Sequence, residues 1–113
     1  MIKVKATPQF MRLAQKAMSD EKLQELIDWL VRNPNAGVII SRTGGIRKLR
    51  WQTGKDNKGK SGGARVLYYY AKNSFVILLI TLYRKSDQEN IDAGEKTYLK
   101  KILPELLREY THE

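Results

Sequence analysis

The chain of 113 residues has no cysteine, one histidine and three prolines, and each shortage removes a class of chemistry. Without cysteine there is no disulfide scaffold, no thiol nucleophile and no cysteine-bound zinc or iron–sulfur centre. The sole histidine, His112, is next to last and reads as a tail residue. A Ser-His-Asp triad and a histidine-pair ribonuclease both lose an essential part. Acids are also scarce: Asp56 is the only one between residues 29 and 86, which leaves little to hold a carboxylate-bound metal. Gly44-Gly45 and Gly62-Gly63 make no nucleotide-binding fingerprint. No cofactor and no metal are expected. The longest apolar run, residues 75–82 with one threonine inside it, is far short of the roughly 18 residues that span a bilayer. The opening MIKVKATPQF lacks the apolar stretch of a signal peptide, so a cytoplasmic protein without a membrane partner is the expectation.

What the chain has in excess is positive charge: 21 basic against 12 acidic residues, a net of +9. The surplus is local. Residues 1–41 carry a net of +2 and residues 86–113 a net of −3, whereas residues 42–85 hold eleven basic side chains against Asp56, a net of +10. A charge run is ordinarily a solvated face. Ten uncompensated charges in one segment repel each other, and that cost points to a polyanionic partner, nucleic acid first.

Hydrophobic content of 42% and the length fit one compact domain spanning residues 1–113. Residues 2–5 alternate as a short strand. Thr7 before Pro8 and Ser19 before Asp20-Glu21 are helix starts. Leu23, Leu26, Ile27, Leu30 and Val31 form a helical stripe that Asn33-Pro34 closes. Residues 46–52, 65–71 and 75–84 read as strands, with Lys72-Asn73-Ser74 as a tight hairpin turn. The apolar-free loop TGKDNKGKSGG at residues 53–63 is expected to be mobile when free. A last helix over residues 93–110 carries an apolar stripe that needs burial, so it is expected to pack on the body, with Pro104 kinking or splitting it.

Strand alternation sorts the side chains by face. Leu49 and Trp51 oppose Lys48 and Arg50; Arg65, Leu67 and Tyr69 oppose Val66, Tyr68 and Tyr70; Thr81, Tyr83 and Lys85 oppose Ile80, Leu82 and Arg84. With the first two helices packed on one side, the other side presents Lys48, Arg50, Arg65, Tyr83 and Lys85 together, without an acid. Such a face can cleave RNA without metal. The 2′-hydroxyl attacks the adjacent phosphorus, arginine stabilises charge on the phosphate oxygens, and a lysine among other cations serves as base. A tyrosine or second lysine then protonates the leaving oxygen. The same face could equally hold phosphates without cleaving them.

Three segments, GGIRKLRW (residues 44–51), KGKSGGARVLYYY (residues 58–70) and ILLITLYRKSDQENI (residues 77–91), resemble the RelE/HigB superfamily of bacterial type II toxins, closest to its HigB branch. The resemblance implies an α+β, RelE-like fold: an N-terminal strand and two helices packed on a mainly antiparallel sheet, plus a C-terminal helix. It implies a ribosome-dependent mRNA interferase that cuts messages in the decoding site. It also implies a cognate HigA-like, helix-turn-helix antitoxin through which the complex binds operator DNA. The family's central arginine falls on Arg65, its basic strand residues on Lys48 and Arg50, and the base after the last strand on Lys85. RelE's catalytic tyrosine has no counterpart in residues 86–91, so that role either moves to Tyr83 or is absent. Arg47, Lys55, Lys58, Lys60 and Arg84 then become contacts to ribosomal RNA or the message. A ParE-like toxin that poisons gyrase and a non-catalytic nucleic-acid-binding module remain the alternatives.

Overall fold

A computed structural model describes residues 1–54 and 63–111. Strand β1 (Lys3–Ala6) leads into helices α1 (Pro8–Ala17) and α2 (Asp20–Arg32); strands β2 (Val38–Ile39), β3 (Arg47–Trp51), β4 (Ala64–Ala71) and β5 (Val76–Arg84) follow, then helix α3 (Ala93–Thr111). The sheet runs β1-β5-β4-β3-β2, with β1 parallel to β5 and every other pair antiparallel. This is the α+β arrangement expected from the sequence. The two-residue edge strand β2 was not expected; Val38 and Ile39 lie exposed and give almost no alternation to read.

The capping residues act as their chemistry dictates. Thr7 Oγ1 accepts from the Phe10 amide at 3.0 Å and donates to the Ile80 carbonyl at 2.7 Å, which ties the start of α1 to β5. Ser19 Oγ accepts from the Lys22 amide at 3.2 Å. At α3, Glu95 N–H donates to Asp92 Oδ1 at 2.8 Å while Asp92 N–H donates to Glu95 Oε1 at 3.1 Å, a reciprocal box that fixes the helix start.

Two cores form, one on each side of the sheet. Phe10, Ala14, Leu26 and Leu30 of α1 and α2 pack on Val66, Tyr68, Ile77 and Leu79; Trp51 joins them, its indole donating to the Lys22 carbonyl at 2.9 Å. On the far side, Leu99 and Leu103 of α3 cover Ile46, Leu67, Leu78 and Ile80. The last helix therefore packs on the body, as its apolar stripe requires.

Three expectations are corrected. Lys72–Ser74 does make the hairpin turn between β4 and β5, but it is a 3₁₀ turn that closes through Phe75 in the left-handed region at φ 55°, so β5 starts at Val76 and not at residue 75. Pro104 does not split α3, which runs unbroken from Ala93 to Thr111. Proline removes one amide donor from the ladder, and the Lys100 residue that loses it is solvent-exposed. Third, Ile80 and Leu82 do not share a face. Leu67 pairs with Thr81 but Tyr68 pairs with Leu79, which leaves Ile80 as the extra residue of a β-bulge. Ile80 turns to α3 and Leu82 to α1 and α2. The bulge resets the alternation, so Thr81 and Tyr83 lie on the same face as Leu67 and Arg65.

Candidate nucleic-acid interface

The register places Arg50 opposite Arg65 and Arg65 opposite Tyr83, a lateral row across β3, β4 and β5. Directly opposed side chains in antiparallel strands lie about 5 Å apart at Cβ. Lys48 sits on the next row of the same face, opposite Leu67. Lys85 continues the Tyr83 side just past β5, its amide donating to the Gly63 carbonyl at 3.5 Å. Gly63 is required there: at φ +91°, a Cβ would stand 2.6 Å from the Trp51 carbonyl oxygen. A backbone that allows this close approach places Arg65 two residues later in the middle of the row.

The row brings like charges together: Arg50 and Arg65 face each other on adjacent strands, and directly opposed like charges are unfavourable in themselves. Arg65 Nη1 and Tyr83 Oη are both closed off from solvent, and neither has a hydrogen-bond partner among the described residues. A buried unsatisfied donor costs about 1–3 kcal/mol, more when charged. Burial raises the Tyr83 phenol above its ordinary pKa; Arg65 pulls it back and Glu95 adds to the rise. The hydroxyl is therefore held protonated at neutral pH.

The face is not free of acids. Glu95, delivered by α3, borders Tyr83, and strand alternation carries no information about a helix that arrives from elsewhere in the chain. The segment after β5 also reaches the site: Lys48 Nζ donates to Asn90 Oδ1 at 3.5 Å, and Gln88 Nε2 donates to the Asn90 carbonyl at 3.0 Å. Asn90 and Glu95 were missed in the sequence. The D-x-x-E spacing of Asp92 and Glu95 was the readable signal for the second of them.

Of the remaining sequence-derived candidates, Arg47 lies on the opposite face, paired with Tyr68. Its guanidinium donates to the Gly37 carbonyl at 2.7 Å and the Asn35 carbonyl at 3.0 Å, clamping the loop between α2 and β2. Arg84 also points away from the row, toward α1, and forms an exposed pair with Asp87 at 3.5 Å. Lys55, Lys58, Lys60 and His112 lie outside the described residues. No group of three or more His, Asp or Glu side chains among the described residues is arranged to hold a metal ion. No helix among them is long and apolar enough to cross a membrane.

Comparison with known proteins meets this geometry. The structure is similar in fold to the crystal structure of the intact E. coli RelBE toxin–antitoxin complex, with a TM-score of 0.53 and 14% identity over 73% of this chain and 94% of that one. The family model described as the RelE toxin of the RelE/RelB toxin–antitoxin system matches residues 2–112. With a match across nearly all of its length, a RelE-like sheet and a basic row at the sheet's centre, the chain belongs to the RelE toxin family.

Proposed function

We propose that the protein is a metal-independent, ribosome-dependent mRNA interferase, neutralised by a cognate helix-turn-helix antitoxin of the HigA-like kind. The observation that carries this reading is the row Arg50–Arg65–Tyr83, with a buried guanidinium nitrogen and a buried phenol left without partners. In the proposed reaction a lysine of the site, Lys48 or Lys85 in its neutral form, takes the proton of the 2′-hydroxyl. The 2′-oxygen attacks phosphorus, and Arg65, with Arg50 beside it, stabilises the charge gathering on the non-bridging oxygens. The bond from phosphorus to the 5′-oxygen breaks. Tyr83, held protonated by burial, gives its proton to that leaving oxygen, producing a 2′,3′-cyclic phosphate and a 5′-hydroxyl end.

Ribosome dependence follows from what this site lacks. Among the described residues it has no histidine to match its base to neutral pH, which favours a reaction whose atoms are brought in line from outside. Positioning can supply several kcal/mol of the barrier, and a message held in the decoding site provides it. The test is an in vitro translation reaction with message ends mapped by primer extension. Discrete in-frame cuts are expected with the native chain. None is expected with Arg65→Ala or in a ribosome-free reaction; efficient cutting of naked RNA would overturn the ribosome-dependent mechanism.

A further inference from the structure

Within the sheet, the Lys48 ammonium has nothing to hold. Its directly opposed neighbours are Val38 on β2 and Leu67 on β4, and the residues two positions away along its own chain are Ile46 and Arg50. Three of these side chains are apolar and the fourth carries the same charge. An ammonium on a flexible four-carbon stem, repelled by Arg50, swings into water unless something from outside the sheet fixes it.

What reaches it is the segment between β5 and α3. The Arg84 carbonyl accepts from the Asp87 and Gln88 amides at 2.9 and 3.2 Å, which turns the chain toward β3, two strand spacings or about 10 Å away. Asn90 is then held from two sides. Its carbonyl accepts from Gln88 Nε2 at 3.0 Å, and its side-chain Oδ1 accepts from the Ile91 amide at 2.9 Å. Ile91 itself is buried in the core under α3, and Gln88 also reaches Glu95 Oε1 at 3.4 Å, in the box that starts the helix. The Ile91 amide decides which way the Asn90 amide points: oxygen inward, with its remaining acceptor capacity toward Lys48 Nζ at 3.5 Å. That separation is long for a full hydrogen bond, and contacts in an unliganded site commonly tighten when the substrate arrives. Neither neighbouring acid, Glu89 or Asp92, forms an ion pair with Lys48 among the described residues.

We propose that Asn90 is a positioning residue, whose amide oxygen, locked by Ile91 and Gln88, holds the Lys48 ammonium over the β3 end of the row while Tyr83 stands at the β5 end. The type of group matters. A carboxylate here would fix the lysine and cancel its charge; an amide oxygen fixes it and leaves the positive field of the row to a polyanion. The segment after β5 thus contributes by holding a reacting group rather than by supplying one. What Lys48 does once held rests on the proposed function.

The test is a double-mutant cycle in the full chain, read in two ways. Asn90→Ala should lower message cleavage on ribosomes by about tenfold, the scale of a misplaced reacting group. In a Lys48→Met background the same change should alter the remaining cleavage by less than about twofold, because the residue it acts through is gone. The second reading needs no activity: NMR relaxation of the Lys48 ε-methylene should show its order falling in Asn90→Ala to that of Lys101, an exposed lysine on α3. A loss of cleavage equal in both backgrounds would make Asn90 a structural residue of the loop and overturn the proposal, as would unchanged order at Lys48. Loss of order at Lys48 in a protein whose native form leaves messages intact would sustain the positioning and remove the interferase. Native cleavage with Lys48 order unmoved by Asn90→Ala would do the reverse.

Discussion

The sheet carries two cross-strand arginine–tyrosine pairs, one on each face, and they are chemical duplicates in opposite states. Arg47 and Tyr68 pair across β3 and β4 on the side of α1 and α2, and both side chains find hydrogen-bond partners there. The tyrosine hydroxyl accepts from the Gly37 amide at 2.8 Å and donates to the Pro34 carbonyl at 2.9 Å, while the arginine holds two carbonyls of the same loop. Arg65 and Tyr83 face the other way, and each retains a buried polar atom without a partner. The first pair spends its hydrogen-bonding capacity on folding. The second keeps it for something the folded chain does not supply, and unsatisfied buried groups of this kind need such an explanation. Residue type therefore does not separate scaffold from site; the accounting of partners does.

The largest effects should come from exchanging those fates. Arg65→Ala should lower message cleavage by about 10²–10³-fold, the scale of losing one oxyanion-stabilising donor, while its melting temperature holds or rises because a buried unpaired donor is gone. Tyr83→Phe should lower cleavage by roughly 10²-fold or more, again with stability unchanged or improved. The mirror variants should do the opposite. Tyr68→Phe leaves the Gly37 amide and the Pro34 carbonyl without their partner and should cost about 1–3 kcal/mol in urea unfolding. Arg47→Ala should cost a similar amount, and the cleavage rate of the folded fraction should stay within a few-fold of native. If Arg47→Ala abolished cleavage in a protein of native stability, the division between the two pairs would fail.

The same contrast marks how far the sequence could be read. Alternation in β3 and β4 placed Lys48, Arg50 and Arg65 on one face and Leu49, Trp51, Val66 and Tyr68 on the other, because short strands between a glycine turn and a hairpin hold their period. It failed at Ile80, where a bulge adds a residue that period-two counting cannot detect. Arg47 was read as an RNA contact because it stands in the basic segment, but its partners, Asn35 and Gly37, come from a loop whose approach only the folded chain reveals. The D-x-x-E spacing marks Glu95 as a capping residue, but its approach to Tyr83 was hidden for the same reason: α3 returns over the sheet from the far end of the chain. Local chemistry was legible, and contacts that depend on long-range packing were not.

A smaller effect separates the pairs by pH. Burial raises both phenols above the ordinary value of 10.0, and neither effect needs a charge change below that pH. The unfolded chain releases these protons first as pH climbs through 10, and it then binds fewer protons than the folded chain. Stability should therefore be flat with respect to these groups below the unfolded value and fall above it, up to the raised folded values. Tyr68→Phe and Tyr83→Phe should each flatten part of that alkaline decline, measured as the urea midpoint from pH 9 to 11, and both should leave its neutral plateau shape unchanged. A decline that steepened in either variant would contradict a buried neutral phenol.

The smallest effect belongs to Arg84, which separates charge from position. Its side chain is exposed, turned away from the row, and paired among the described residues with Asp87, three positions on. Exposed ion pairs of this kind contribute under about 1 kcal/mol, so Arg84→Ala should move the unfolding midpoint very little. As one cation near an RNA surface it should still lessen the salt dependence of ribosome association slightly, with cleavage within about threefold of native. Lys85 is its immediate neighbour in sequence and equal in charge, but alternation turns it to the Tyr83 side. Lys85→Ala should therefore fall well below Arg84→Ala in a primer-extension assay at fixed ionic strength. Equal losses from the two neighbours would mean that the site responds to the sum of its charge rather than to the face that carries it.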